Sequence, residues 1–330
     1  MKIAVLGGGA WGTAFAITLT ARHEVSLWVR NPQRCDEMRR ERVNRRYLPD
    51  LALPTALQVE SDVGVAMAGA ELVVVGVTVA GLRATLRQVA ALGQVVPVIW
   101  LCKGFEASTS LLPHQVAAEE LPPGLARGVL SGPSFAQEVA RGVPAAVTLA
   151  ASDLEFASAI ARELHSARLR VYSSDDITGV EVGGAVKNVI AIGAGISDGL
   201  QFGESARAAL ITRGLAEVTR LGVHLGGRLE TFMGLSGVGD LILTCTGSLS
   251  RNRKVGLGLA RGQSLPAVLG ALGHVAEGVY TAAEVRRLAM ETDVDMPIVE
   301  AVYRVLYQAI TPQAAVEALL AREPKEEHRD

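Results

Sequence analysis

The sequence predicts an α/β protein: an N-terminal doubly wound, mainly parallel sheet, followed by a second, all-helical C-terminal domain. Short, nearly continuous apolar runs alternate with helix-period segments up to about residue 173, after which strand-like runs almost vanish. A run that is apolar throughout, rather than alternating, suits a parallel strand covered on both faces. Repeated β-α alternation winds helices over both faces of such a sheet.

Taken in order, residues 2–6, 25–29, 72–77 and 95–101 are the first strand candidates, with helical periodicity over 13–21 and 82–92 between them. Shorter strand candidates follow at 128–130, 145–149 and 169–172. Ser173-Ser174-Asp175-Asp176 has the makeup of a helix start, with cap-forming side chains and acids together. The boundary is therefore expected near Ser173, giving domains 1–173 and 174–330, with Ala- and Leu-rich helical patterns to about residue 320. The charged tail 322–330 is expected to fray. A cleft between the two domains is the working picture.

A chain of 330 residues with 49% apolar and 20% charged residues can bury a core in each of two domains, and disorder is excluded. Its formal charge of -2 argues against a general nucleic-acid binder. Cys35, Cys102 and Cys245 are odd in number and lack metal-type spacing, so they are expected to be reduced thiols in a cytoplasmic protein. No metal is expected. No apolar run is expected to span a membrane, and residues 3–6 are too few for a signal-peptide core. A homodimer is compatible with these features.

Gly7-Gly8-Gly9-Ala10-Trp11-Gly12 follows the first strand and opens a helix, matching G-x-G-x-x-G through Gly7, Gly9 and Gly12. The first glycine permits the tight turn, the second lets a pyrophosphate approach the backbone, and the third packs helix on strand. In a strand-turn-helix context this predicts dinucleotide binding and a Rossmann-type sheet, against the plainer reading of a Gly-rich turn. The second strand ends at Arg30 with no carboxylate to hold a ribose 2′-hydroxyl, so NADP is expected as readily as NAD. An ordinary solvated arginine is the alternative. Arg39, Arg40, Arg42, Arg45 and Arg46 follow, but the interleaved Glu37 and Glu41 suggest a solvated helix face.

Lys103 comes directly after the fourth strand, where strand ends line the ligand crevice. Ser134 with Gln137 has capping-box spacing, at another strand end. Only five of the 32 basic residues are lysines, and Lys187 lies within the apolar run Val182 to Ile192. Arginine stays protonated at any working pH, whereas a partly buried ammonium can exchange a proton. The alternative is a lysine whose stem packs on the core while its head reaches water. Asp240 is a lone acid between a Gly-rich loop and an apolar run, and by itself reads as a helix cap. Ser250-Arg251-Asn252-Arg253-Lys254 gathers the donors of a small-anion site, above all for phosphate.

Together the segments GGGAWGTAFA, CKGFE, SGPSFAQE, EVGGAVKNVIAIGAGISDG, MGLSGVGDLILTCTGSLSRN and GHVAEGVYTA resemble NAD(P)-dependent glycerol-3-phosphate dehydrogenase of the bacterial type, over nearly the whole chain. The resemblance implies interconversion of sn-glycerol 3-phosphate and dihydroxyacetone phosphate, supplying the glycerophospholipid backbone. It makes Lys187 the catalytic acid/base. It puts Lys103, Gly132, Ser134, Asp240, Ser250, Arg251 and Asn252 about the substrate. It sets Gly7, Gly9, Ala10, Trp11, Gly12, Arg30, Lys103, Ala136, Arg251, Val275 and Glu277 along the cofactor. Ala10 and Cys102 depart from a common Ser and Thr, without touching this chemistry. Other readings are a hydroxyacid or sugar-acid phosphate dehydrogenase of the same plan, and a non-catalytic dinucleotide sensor. The sensor would have no use for Lys187, Asp240 and the Ser250-Arg251-Asn252 cluster together.

Overall fold

The computed structural model describes residues 1–323. The first lobe carries strands β1 (Lys2–Leu6), β2 (Glu24–Trp28), β3 (Val43–Asn44), β4 (Leu48–Ala52) and β5 (Gln58–Glu60). It continues with β6 (Leu72–Val75), β7 (Val98–Trp100), β8 (Arg127–Ser131), β9 (Ala145–Ala151) and β10 (Leu169–Ser174). Helices α1 (Ala10–Leu19), α2 (Pro32–Glu41), α3 (Val63–Met67), α4 (Val79–Ala91), α5 (Pro113–Glu120), α6 (Ala136–Ala140) and α7 (Leu154–Leu164) lie between them. Eight strands form one sheet in the order β10-β9-β8-β7-β6-β1-β2-β5, and β3 and β4 form a separate antiparallel pair.

From β5 to β8 the order reverses between β1 and β6, and this switch point opens a crevice at the carboxyl ends of the strands. Every expected strand is present. The fourth starts late because Pro97 has no N–H for the ladder and Val95 stands 85% exposed, so pairing begins at Val98. β8 and β9 are the antiparallel exception, with Leu130 opposite Leu149. The segment joining them carries only the five-residue α6, which packs against α1 instead of crossing the sheet. β5 and the β3–β4 pair escape the sequence pattern because they are short, and Pro49 and Asp50 dilute the strand signal of β4.

The second lobe is helical. Its axis is α8 (Ile177–Gly199), followed by α9 (Gly203–His224), α10 (Leu229–Phe232), a π turn (Leu235–Gly239) and α11 (Asp240–Thr246). Then come α12 (Arg251–Ala260), α13 (Leu265–Leu272), α14 (Glu277–Glu291), α15 (Pro297–Tyr307) and α16 (Pro312–Leu320). As the helix-start signal implied, Asp176 caps α8 by accepting from Gly179 N (2.8 Å), while Ser173 and Ser174 finish β10. Every residue from Gly179 to Ser197 is buried, with α9, α11, α12 and α14 packed round them.

Contrary to the sequence expectation, α8 is long and apolar enough by composition to cross a membrane. Its whole apolar window is instead buried within the protein, where it forms the spine of the second core. Within the tail, Arg322 pairs with Asp295 (2.7 Å); residues 324–330 lie outside the described residues.

Candidate active site

The glycine loop is shaped by contact across the switch point. Gly7 has φ +131°, a region that side chains avoid, and a Cβ there would stand 2.7 Å from the carbonyl oxygen of Gly76. A Cβ on Gly12 would come 2.1 Å from Gly7 O, so α1 packs hard on the end of β1. Gly9, by contrast, faces open space, its nearest atom being Gly76 O at 3.8 Å. No side chain caps α1, which leaves the N–H groups of its first turn aimed at whatever anion occupies the opening. The loop thus fits the pyrophosphate of a dinucleotide by both shape and charge. Trp11 Nε1 ties it to the β8–α6 segment by donating to Ser134 O (3.3 Å).

From this loop a cleft of about 880 Å³ runs between the lobes. Its walls hold Gly7, Gly9, Ala10, Trp11, Arg30, Lys103, Ser134 and Ala136 from the first lobe. Lys187, Asp240, Ser250, Arg251, Asn252, Val275 and Glu277 face them from the second. Gly12 and Gly132 lie just behind the walls, the first as packing for α1 and the second as an acceptor for Lys103. The charged lining is mostly cationic: Arg30, Arg34, Arg46, Lys103, Lys187, Arg251 and Lys254 against Asp240 and Glu277. Such a field suits phosphorylated ligands.

At the inner end, three elements place two lysines on one carboxylate. Lys103, three residues past the end of β7, donates to Asp240 Oδ2 at 2.6 Å and to Gly132 O at 3.3 Å. Lys187, in the middle of α8, contacts Asp240 Oδ1 and donates to Thr244 Oγ1 at 2.9 Å. Thr244 stands one helical turn past Asp240, so both present to the same side of α11. Asp240 is 1% exposed and Lys187 6%. Burial pushes Lys187 down to about 7; the adjoining Asp240 carboxylate opposes this, and the Lys103 ammonium adds to it. Near neutral pH the group can therefore release a proton as an ammonium or accept one as an amine.

A second set of bonds fixes the neighbours. Asn252 Nδ2 donates to Asn188 Oδ1 (2.9 Å), Asn188 Nδ2 to Gly184 O (3.3 Å), and Gly278 N to Asn252 Oδ1 (3.0 Å). These bonds join α8, α12 and the start of α14.

Several expectations need correction. Ser134 does not cap a helix: α6 starts after Phe135 with no side-chain cap, and the Ser134 hydroxyl donates to Gly132 O (3.1 Å). Asp240 is no cap either, because both of its oxygens are taken by lysines. Ser250 does cap α12, accepting from Arg253 N (3.2 Å). Arg253 turns away from the cleft to Asp198 (2.6 Å), so the anion cluster keeps only Arg251 and Lys254 as cations. Of the basic run after Arg30, Arg39 pairs with Glu60 and Arg45 with Glu41, whereas Arg46 joins the cleft wall.

Three participants were not foreseen. Thr244 could have been found from its i, i+4 spacing to Asp240. Gly76 and Tyr47 carry no local signal, since their roles arise from contacts across the chain. Tyr47 reaches from the β3–β4 turn to stack on His274 of the second lobe (4.9 Å between rings), with Arg34 and Arg46 over its face at 5.1 and 5.5 Å. All three cysteines are free and buried, and burial raises the Cys102 and Cys245 thiols, the latter to about 12. Among the described residues no group of three or more His, Cys, Asp or Glu is placed to hold a metal.

Comparison with known proteins agrees with this architecture. Residues 2–157 match the model for the N-terminus of NAD-dependent glycerol-3-phosphate dehydrogenase, and 176–317 match that for its C-terminus. The chain is 58% identical over 331 residues, 99% of either chain, to a glycerol-3-phosphate dehydrogenase (NAD(P)+) of Nitrosospira multiformis. It is 57% identical, with 99% of both covered, to the enzyme of the same name from Dechloromonas aromatica. The crystal structure of glycerol-3-phosphate dehydrogenase from Coxiella burnetii superposes with a TM-score of 0.93 at 42% identity, over 97% of this chain and 99% of that one. The matches span both lobes and the cleft between them, and the chain belongs to the NAD-dependent glycerol-3-phosphate dehydrogenase family.

Proposed function

We infer that this enzyme interconverts sn-glycerol 3-phosphate and dihydroxyacetone phosphate with NAD(P)(H), and that Lys187 is its general acid/base. The observation that carries the reading is a buried ammonium, with a pKa lowered by burial to about 7, held on Asp240 at the inner end of a cationic cleft. We assign residues 1–173 to a dinucleotide-binding lobe and 174–330 to a helical substrate-binding and catalytic lobe.

Gly7, Gly9, Ala10, Trp11 and Gly12 would hold the pyrophosphate, Arg30 the ribose 2′ position, and Lys103, Ala136, Arg251, Val275 and Glu277 the remaining length of the dinucleotide. The chemistry that a bound nicotinamide supplies is hydride transfer to or from the carbon bearing the substrate's middle oxygen. Lys187 donates a proton to that oxygen during reduction, and neutral Lys187 removes it during oxidation. Asp240 orients the ammonium, and Thr244 steers it with a second acceptor. General acid/base assistance of this kind contributes about 10²- to 10⁴-fold. Lys103, Gly132, Ser134 and Ser250 line the substrate site, while Arg251 and Asn252 take up the phosphate, whose binding positions the carbonyl.

The test follows NADPH and NADH absorbance with dihydroxyacetone phosphate, for the wild type and Lys187→Arg. Arg keeps the charge but releases no proton, so a folded, cofactor-binding variant with turnover reduced by about 10²-fold or more is expected. Turnover near wild type would overturn the role of Lys187, and failure to oxidise either nucleotide would favour the dinucleotide sensor.

We extend the reading to a cytoplasmic homodimer that supplies glycerol 3-phosphate for glycerophospholipid synthesis, with neither nucleic-acid partners nor membrane insertion. The near-balanced charge of -2 and the burial of the apolar window of α8 inside the protein support the last two points. Sedimentation of the purified protein tests the dimer.

A further inference from the structure

Six residues before Lys187 on the same helix, a buried carboxylate stands outside the cleft. Glu181 is 3% exposed, and its oxygens accept from three donors of the first lobe. Trp100 Nε1 donates to Oε1 at 2.8 Å, His114 N to Oε1 at 3.0 Å, and His114 Nδ1 to Oε2 at 2.6 Å. Trp100 is the last residue of β7 and fully buried, and Lys103 follows it by three positions. His114 belongs to the first turn of α5. One side chain of α8 thus grips both the strand that delivers Lys103 and a helix packed against it.

The seam it holds is close. A Cβ at Gly184, between Glu181 and Lys187 on α8, would meet Ser131 Oγ at 2.9 Å and the Lys103 stem at 3.5 Å. Lys187 and Asp240 both come from the second lobe, whereas Lys103 comes from the first. Any slip of α8 against β7 therefore leaves the Lys187–Asp240 pair together and carries Lys103 away from it.

We propose that Glu181 is a positioning residue: it locks the catalytic helix to the end of β7, and so holds the Lys103 ammonium against Asp240 and near Lys187. The proposal rests on Lys187 being the acid/base. Asp240 and Lys103 are the charged groups facing Lys187, and Cys245 is the titratable group beside it.

The test titrates the enzyme labelled with ¹³C at the lysine ε-carbons, together with the pH profile of glycerol 3-phosphate oxidation. Only five lysines are present, and the Lys187 signal is the one missing from Lys187→Arg. Glu181→Ala should move the Lys187 midpoint upward, because the repelling ammonium recedes, and should lower kcat by about 10- to 100-fold. Glu181→Gln, which still accepts from Trp100 and His114, should recover most of that loss. In the Lys103→Met background, Glu181→Ala should leave the midpoint where Lys103→Met alone puts it, since both remove the same charge. Should Glu181→Ala not fold, Trp100→Phe removes one donor while keeping an aromatic ring in the core and should shift the midpoint the same way, by less.

An unmoved midpoint in Glu181→Ala, or in Trp100→Phe if Glu181→Ala does not fold, overturns the proposal, as does a full additional shift when Glu181→Ala is added to Lys103→Met. If Lys187→Arg retains turnover and the wild type shows no midpoint near neutrality, it is the acid/base role that fails instead.

Discussion

Two substitutions around Asp240 should move the Lys187 titration in opposite directions. Lys103 lies 2.6 Å from one oxygen of Asp240, and Lys187 touches the other. The two ammonium nitrogens are then no more than roughly 7 Å apart, where unit charges repel by about 2.4 kcal/mol at an effective dielectric of about 20, or about 1.7 pKa units. Solvent reaching Lys103, whose side chain is 18% exposed, weakens this, so Lys103→Met should raise the Lys187 midpoint by about 1–2 units.

Starting from about 7, that lowers the neutral fraction at pH 7 from about a half to between about a tenth and a hundredth. With Lys187 as the proposed base, oxidation would need its neutral form, so its rate should rise with pH through the midpoint. Lys103→Met should therefore push that limb to higher pH. Reduction, with Lys187 as the proposed acid, would need the protonated form and should hold up to higher pH in the same variant. Asp240→Asn removes the charge that favours the ammonium and should drive the midpoint below the wild-type value. Lysine-selective ¹³C titration reads each midpoint even where turnover is poor. A Lys103→Met midpoint that stays put or falls, or an Asp240→Asn midpoint that rises, would refute the electrostatic account.

The remaining predictions concern the cofactor end and the helical core. Arg30→Asp should weaken NADPH more than NADH, measured as separate dissociation constants; equal losses would mean that Arg30 does not read the 2′ position. Gly195 packs α8 onto α12 so closely that a Cβ would stand 2.0 Å from Arg253 O. Gly195→Ala should therefore destabilise the protein by about 1–3 kcal/mol or more in urea unfolding. A stability equal to wild type would show that this seam can open without cost.

Much of this was legible in the chain because strand-ends and caps are local. The glycine loop, Lys103, Lys187 and Asp240 each sit where a strand ends, a helix is dry or a loop meets an apolar run, and each of these leaves a pattern within a few residues. Pairing is not local. Nothing in the neighbourhood of Asp240 shows that Lys103, far away in sequence, will take one of its oxygens, so by itself it read as a cap. Arg253 sits among cleft residues in sequence but turns to Asp198, because two steps of about 100° along α12 carry it to the side opposite Arg251. The antiparallel β8–β9 pair was hidden for the same reason, since strand direction follows from how the connection packs and not from the composition of either strand.

The central claim is most directly tested by a crystal structure of the enzyme with cofactor and dihydroxyacetone phosphate bound. The account predicts Lys187 Nζ within about 3.2 Å of the substrate's carbonyl oxygen, still held by Asp240. A substrate seated elsewhere in the cleft, or an ammonium turned from that oxygen toward bulk solvent, would contradict it.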